Sequence, residues 1–149
     1  MAKERGFTLI ELMVVFAILA LIMAVAPSAY DRMKTAMDYR DVVRGVVTEM
    51  RSARQQAVLT GRDTAFAVDL EHQQYGVEGG KPRSIPQGIE LRAIVADSEA
   101  RGSHFAIRFL PSGGASGGSV DVLRIASGDG VRVRADWFSG RVEQEPVTR

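Results

Sequence analysis

FTLIELMVVFAILALIMAVA, residues 7–26, holds 18 apolar side chains in 20 positions. As a helix rising about 1.5 Å per residue it is roughly 30 Å long, which matches the hydrocarbon core of a bilayer. The short flank before it carries Lys3 and Arg5. The positive-inside bias therefore predicts a cytoplasmic N-terminus, with the rest of the chain on the far side. A cleavable secretory signal fits less well. The run exceeds the usual apolar region of about 7–15 residues, and cleavage after Ala24-Val25-Ala26 would leave Pro27 at the new N-terminus.

One residue of the run resists this reading. Glu11 is a carboxylate five residues in, and a charge near the centre of a membrane helix costs about 2.5–3.5 kcal/mol on insertion scales. It either stays hydrated near the cytoplasmic face or has a partner. The residues around it supply a context, because Gly6-Phe7-Thr8-Leu9-Ile10-Glu11 resembles the class III signal of type IV pilins and type II secretion pseudopilins. The resemblance implies that a prepilin peptidase cuts between Gly6 and Phe7 and methylates the amine of Phe7, with Lys3 and Arg5 as the basic leader. It further implies that Glu11 pairs with the N-terminal amine of a neighbouring subunit and sets the register of the filament.

Outward from the run, Pro27 predicts a kink, and helical periodicity then resumes. Tyr30, Met33, Met37, Val43, Val46 or Val47, Met50, Ala53 and Ala57 fall at three- and four-residue steps, ending near Gly61. Gly45 inside that stripe marks a position where another backbone comes close. Beyond Gly61 the pattern alternates with period two. Strands are expected at 64–70, 74–77, 89–96, 104–110, 119–126 and 130–137, separated by Gly, Pro and Ser. The fold class is α+β: a long kinked N-terminal helix, its first half transmembrane, packed on an antiparallel two-sheet β head. The divisions read as a leader (1–6), a transmembrane helix (7–27), an amphipathic helical stem (28–60) and a β head (61–149).

Composition removes several functions. The 149 residues contain no Cys, so disulfides, thiol nucleophiles and Cys-based metal sites are absent. With 19 Lys+Arg against 18 Asp+Glu, the chain lacks the net charge of a nucleic-acid binder. A literal G-x-S-x-G stands at 114–118, but a strand follows it, and His104 precedes Ser116, the reverse of a hydrolase triad. His72, beside Asp69 and Glu71, reads as a solvated turn, with strand alternation placing His72 on the face opposite the two carboxylates. No catalytic residues, metal site or cofactor are expected, and the chain does not read as an enzyme.

Two C-terminal stretches, 109–118 (FLPSGGASGG) and 133–142 (VRADWFSGRV), resemble the end of the GspH/FimT group, the H-type minor pseudopilins and related minor pilins. Residues 52–57 (SARQQA) and 75–77 (YGV) have counterparts there too. The resemblance implies a low-copy subunit near the tip of the type II secretion pseudopilus, which drives export of folded proteins across the outer membrane. It implies a single-pass inner-membrane protein with a cytoplasmic N-terminus and a periplasmic head. Its partners would be other major and minor pseudopilins, the prepilin peptidase and the inner-membrane assembly platform. Loops 79–88 and 111–119 are expected to make lateral contacts. The alternative is a FimT-like minor pilin of a type IV pilus, serving pilus assembly or DNA uptake. Arg132, Arg134, Arg141 and Arg149 would then touch phosphates, although Asp136, Glu143 and Glu145 interleave with them.

Overall fold

A computed structural model describes residues 8–95 and 100–147, and within its helix the side chains of 24–32 lie outside the description. The helix, α1, spans Leu9–Thr60, 52 residues. Thr8 is its N-cap. The Glu11 backbone N–H donates to the Thr8 hydroxyl at 3.3 Å and to the Thr8 carbonyl at 3.1 Å, satisfying a donor that the first turn would otherwise leave unpaired. Helix assignment continues through Pro27, so this proline, which removes one backbone donor, does not end the element. The helix stops at Thr60, and Gly61 N–H donates to the Ala57 carbonyl.

The chain divides into two compact units, Met1–Met37 and Asp38–Arg149. In the first, every large apolar side chain from residue 9 to residue 23 is exposed, from 44% at Leu19 to 78% at Leu9. Among the described residues no helix is long and apolar enough to cross a membrane. The described side chains of the expected span are those of 8–23, and its continuation through 24–27 falls outside them.

Among its described residues the second unit contains nine strands: β1 (Thr64–Asp69), β2 (Gln74–Val77), β3 (Arg83–Ser84), β4 (Ile89–Ile94), β5 (Ala100–Arg101), β6 (His104–Phe109), β7 (Gly118–Arg124), β8 (Gly130–Ala135) and β9 (Val142–Val147). They form two antiparallel sheets, ordered β3-β2-β1-β6-β5 and β4-β7-β8-β9. Alternation in register decides which side chains point to the core. Phe66 stands opposite Val77 on one side and Ile107 on the other, while Leu91, Val122 and Val131 form one row across β4, β7 and β8. These side chains share one cluster with the helix stripe Val42, Val43, Val46, Val47, Met50, Ala53 and Ala57. Val46, Met50, Ala53 and Ala57 have no exposure at all.

Two expectations change. Met33 and Met37 are 53% and 56% exposed, so the packed stripe begins at the partly buried Tyr39 and is fully buried only from Val42, not from Tyr30, whose side chain lies outside the description. Periodicity marks an apolar face without saying what covers it. The described head also has more strands than the six or seven short ones expected. β3 and β5 are two-residue edges, and β9 is an edge strand whose central residues Glu143, Gln144, Glu145 and Pro146 are all exposed. A strand that buries almost nothing leaves no period-two signal, and a proline is tolerated there because an edge strand has one unpaired side. Of the strand expected at 89–96, Ala96 lies outside the described residues.

Gly45 meets a side chain and not a backbone. A Cβ there would collide with the Tyr75 hydroxyl and come within 2.7 Å of the Arg83 guanidinium. Tyr75 is 4% exposed, and burial pushes its hydroxyl pKa up against the opposing pull of Arg83. Arg83 in turn reaches Glu49 of α1 at 3.6 Å. Through Arg83 and the buried Ile85, loop 79–88 is tied to the helix.

Candidate functional site

The peptidase and methylation residues Gly6 and Phe7, with the basic Lys3 and Arg5, lie outside the described residues. Glu11 lies within them. It is exposed in the first turn of α1, at the third position after the Thr8 cap, where the spacing Thr8-x-x-Glu11 is that of a capping box. A carboxylate here also faces the positive end of the helix dipole, worth about 0.3–1 kcal/mol at an exposed site. This part of the chain therefore presents a ring of exposed aliphatic side chains with one carboxylate held at its N-terminal end. Exposed apolar surface of this extent calls for lipid or protein around it.

At the other end of α1, the two C-terminal stretches singled out in the sequence come together on one arginine. Arg54 Nε donates to the Gly113 carbonyl at 3.1 Å. Gly140, with φ +61°, packs so closely on Gly113 and Arg54 that a Cβ would strike the Gly113 carbonyl and lie 2.9 Å from Arg54 Nε. Ala115 N–H donates to the Trp137 carbonyl at 2.9 Å. Asp136 Oδ1 accepts from both the backbone N–H and the hydroxyl of Ser139, each at 2.8 Å. Those bonds, the backbone one foremost, hold the Asp136 carboxyl below its ordinary pKa. They shape a turn that leaves Trp137 and Phe138 70% and 77% exposed, edge to face with ring centroids 5.7 Å apart. Loop 111–119 is thus fixed from behind by α1 and the β8–β9 turn.

The weighed alternatives find other uses for their residues. Ser116 Oγ accepts from the Arg108 backbone N–H at 3.0 Å, and Ser116 N–H donates to the Arg108 carbonyl at 2.7 Å, so this serine closes the β6–β7 connection. Asp69 ends β1 and 70–73 form the expected turn, but the turn folds His72 back onto Asp69, which corrects the expected placing of His72 on the far face from that carboxylate. Asp69 Oδ1 accepts the backbone N–H groups of Glu71 and His72 at 3.0 Å each, while His72 Nδ1 lies 2.7 Å from Oδ2. The register also sets His104 directly across from Asp69, the residue that His72 pairs with. Among the described residues no group of three His, Cys, Asp or Glu side chains could hold a metal ion.

The outer face of the second sheet is internally neutralised. Arg132 Nε and Nη2 reach the two carboxylate oxygens of Asp121 at 2.7 and 2.8 Å, and Asp121 is 6% exposed. Arg134 lies 3.5 Å from Glu143 and 3.9 Å from Glu145, and Arg92 Nε donates to Glu90 at 2.7 Å. Two of the four arginines considered for phosphate contact are therefore already engaged, and Arg149 lies outside the described residues.

Comparison with known proteins finds two family matches. Residues 1–27 match the prokaryotic N-terminal methylation motif, and residues 42–140 match the type II transport protein GspH family. The type II secretion system protein H of Xanthomonas campestris pv. campestris is 29% identical over 144 residues, covering 96% of this chain and 84% of that one. Prepilin peptidase-dependent protein D of Escherichia coli is 32% identical over 102 residues, covering 68% of this chain and 62% of its own length. Among solved structures, the minor pseudopilin EpsH from the type 2 secretion system of Vibrio cholerae superposes with a TM-score of 0.50 at 13% identity. That match covers 77% of this chain and 95% of that one, and the likeness is one of fold.

Proposed function

The chain belongs to the GspH family of type II transport proteins, the minor pseudopilins, and from that premise we propose how it works as a subunit of the pseudopilus. Its leader, 1–6, is removed by the prepilin peptidase between Gly6 and Phe7, and Phe7 is N-methylated. The span 7–27 holds the subunit in the inner membrane with its N-terminus cytoplasmic. The stem 28–60 continues into a periplasmic head, 61–149. On delivery by the assembly platform, the subunit joins other major and minor pseudopilins near the tip, and the growing filament helps drive folded proteins across the outer membrane.

The observation that carries this reading is the exposed aliphatic helix from residue 9 to residue 23, interrupted only by a capped Glu11 in its first turn. Once the leader is gone, Phe7 would supply a free amine two positions from the start of α1. An ammonium and a carboxylate buried among aliphatic side chains are each costly alone and tolerable as a pair. Glu11 then sets the axial register of incoming subunits, since a slip along the bundle would leave both charges unpaired.

Glu11→Ala is expected to leave processing and methylation intact, read by mass spectrometry of the mature N-terminus, while abolishing co-purification with the other pseudopilins. Co-purification at the wild-type level would remove the register role. Replacing Gly6 by Val should instead accumulate a precursor longer by six residues, and normal maturation of that variant would remove the cleavage assignment.

A further inference from the structure

A groove of about 600 Å³ lies between the last turns of α1 and the start of β9, lined by Arg51, Arg54, Val58, Leu59, Arg141 and Val142. Its charge is of one sign: among the described residues no Asp or Glu lines it. Arg54 is occupied by the Gly113 carbonyl, whereas Arg51 and Arg141 are exposed and make no salt bridge among the described residues. Its apolar wall is equally uncovered, with Val58 49% and Leu59 75% exposed. On the second sheet Arg92, Arg132 and Arg134 are each matched to a carboxylate, whereas at this groove two arginines without such a match stand beside exposed aliphatic side chains.

We infer that this groove docks an acidic amphipathic segment of a neighbouring filament subunit, its carboxylates meeting Arg51 and Arg141 and its aliphatic side chains covering Val58 and Leu59. This rests on the reading of the chain as a filament subunit. Charge complementarity selects the acid. The exposed aliphatic surface selects a protein segment over a single-stranded nucleic acid, which would want aromatic side chains to stack on, and none of the described residues lining the groove is aromatic. The charge of the unit agrees: residues 38–149 hold 15 Lys+Arg and 15 Asp+Glu, so no long-range field gathers phosphates. Residues 51, 54 or 55, and 58 share one helix face, the spacing at which another amphipathic element packs. Rim arginines of this kind set partner choice and association rate, and the aliphatic contact supplies the burial.

The test uses the full chain in cells that make the secretion apparatus, with the photocrosslinker p-benzoyl-phenylalanine placed at Leu59 and, in a separate control strain, at Ile18. Position 59 is expected to crosslink to another pilin-like subunit. Arg51→Glu with Arg141→Glu should cut that adduct about tenfold, while Arg51→Lys with Arg141→Lys should retain most of it. Adducts with a second copy of this chain or with DNA, or a yield indifferent to charge reversal, would overturn the groove assignment. Adducts from position 18 without any from position 59 would overturn the groove and leave the filament reading standing. Silence at both positions would remove both.

Discussion

At the scale of single residues, the same carboxylate can be a fold feature and a functional one. Glu11 suits the N-terminus of α1 on local grounds alone, through the Thr8 cap and the helix dipole. Local fitness explains why it is tolerated, and the surrounding exposed aliphatic side chains explain why it would be used. Asp69 is a simpler case. It accepts two backbone N–H groups and pairs with His72, so its carboxyl pKa is lowered, chiefly by the His72 backbone N–H, while the His72 imidazole pKa is raised by the Asp69 side chain. The raised histidine stabilises the fold below its ordinary titration range and loses that contribution as pH rises through its folded value. The lowered aspartate contributes above its ordinary range and loses it as pH falls. Asp69→Asn keeps the acceptor for the two backbone bonds, so the turn should persist while the His72 midpoint falls toward about 6.5. An NMR titration that finds the midpoint unmoved would separate the histidine from the aspartate.

At the scale of elements, α1 is shaped by what packs against it. Its buried stripe from Val42 to Ala57 is Val and Ala apart from Met50, and Gly45 has no side chain because the Tyr75 hydroxyl occupies that space. Gly45→Ala gains about 1 kcal/mol of helix propensity and should nevertheless destabilise the head by about 1–3 kcal/mol, through displacement of Tyr75 and Arg83. In a Tyr75→Phe background, with the hydroxyl gone, the same substitution should cost much less. Equal costs in both backgrounds, measured by urea unfolding, would mean that the collision is relieved some other way. The edge strand β9 shows the opposite logic, since its place is fixed by pairing with β8 from Ala135↔Val142 to Gly130↔Val147 and hardly at all by burial.

At the scale of the whole molecule, every described core residue belongs to the unit Asp38–Arg149, including the helix stripe. A chain beginning at Asp38 should therefore unfold cooperatively in water and give dispersed NMR spectra. One beginning at Gly61, stripped of Val46, Met50, Ala53 and Ala57, should lose its tertiary structure. A stable fold for the shorter chain would mean that the two sheets need no helix. The sequence by itself determined the apolar run and its lone carboxylate, the helical stripe of the stem, and most of the strands, because each is written in a local period or a local composition. Only the tertiary structure decided that full burial of the helix starts at Val42, that β9 pairs at an edge, that His104 stands beside Asp69, and that the Gly-rich loop and the 136–141 turn close on Arg54 next to a groove with unmatched arginines. These are contacts between residues tens of positions apart. They depend on which sheet comes to cover which face, and no local pattern encodes that.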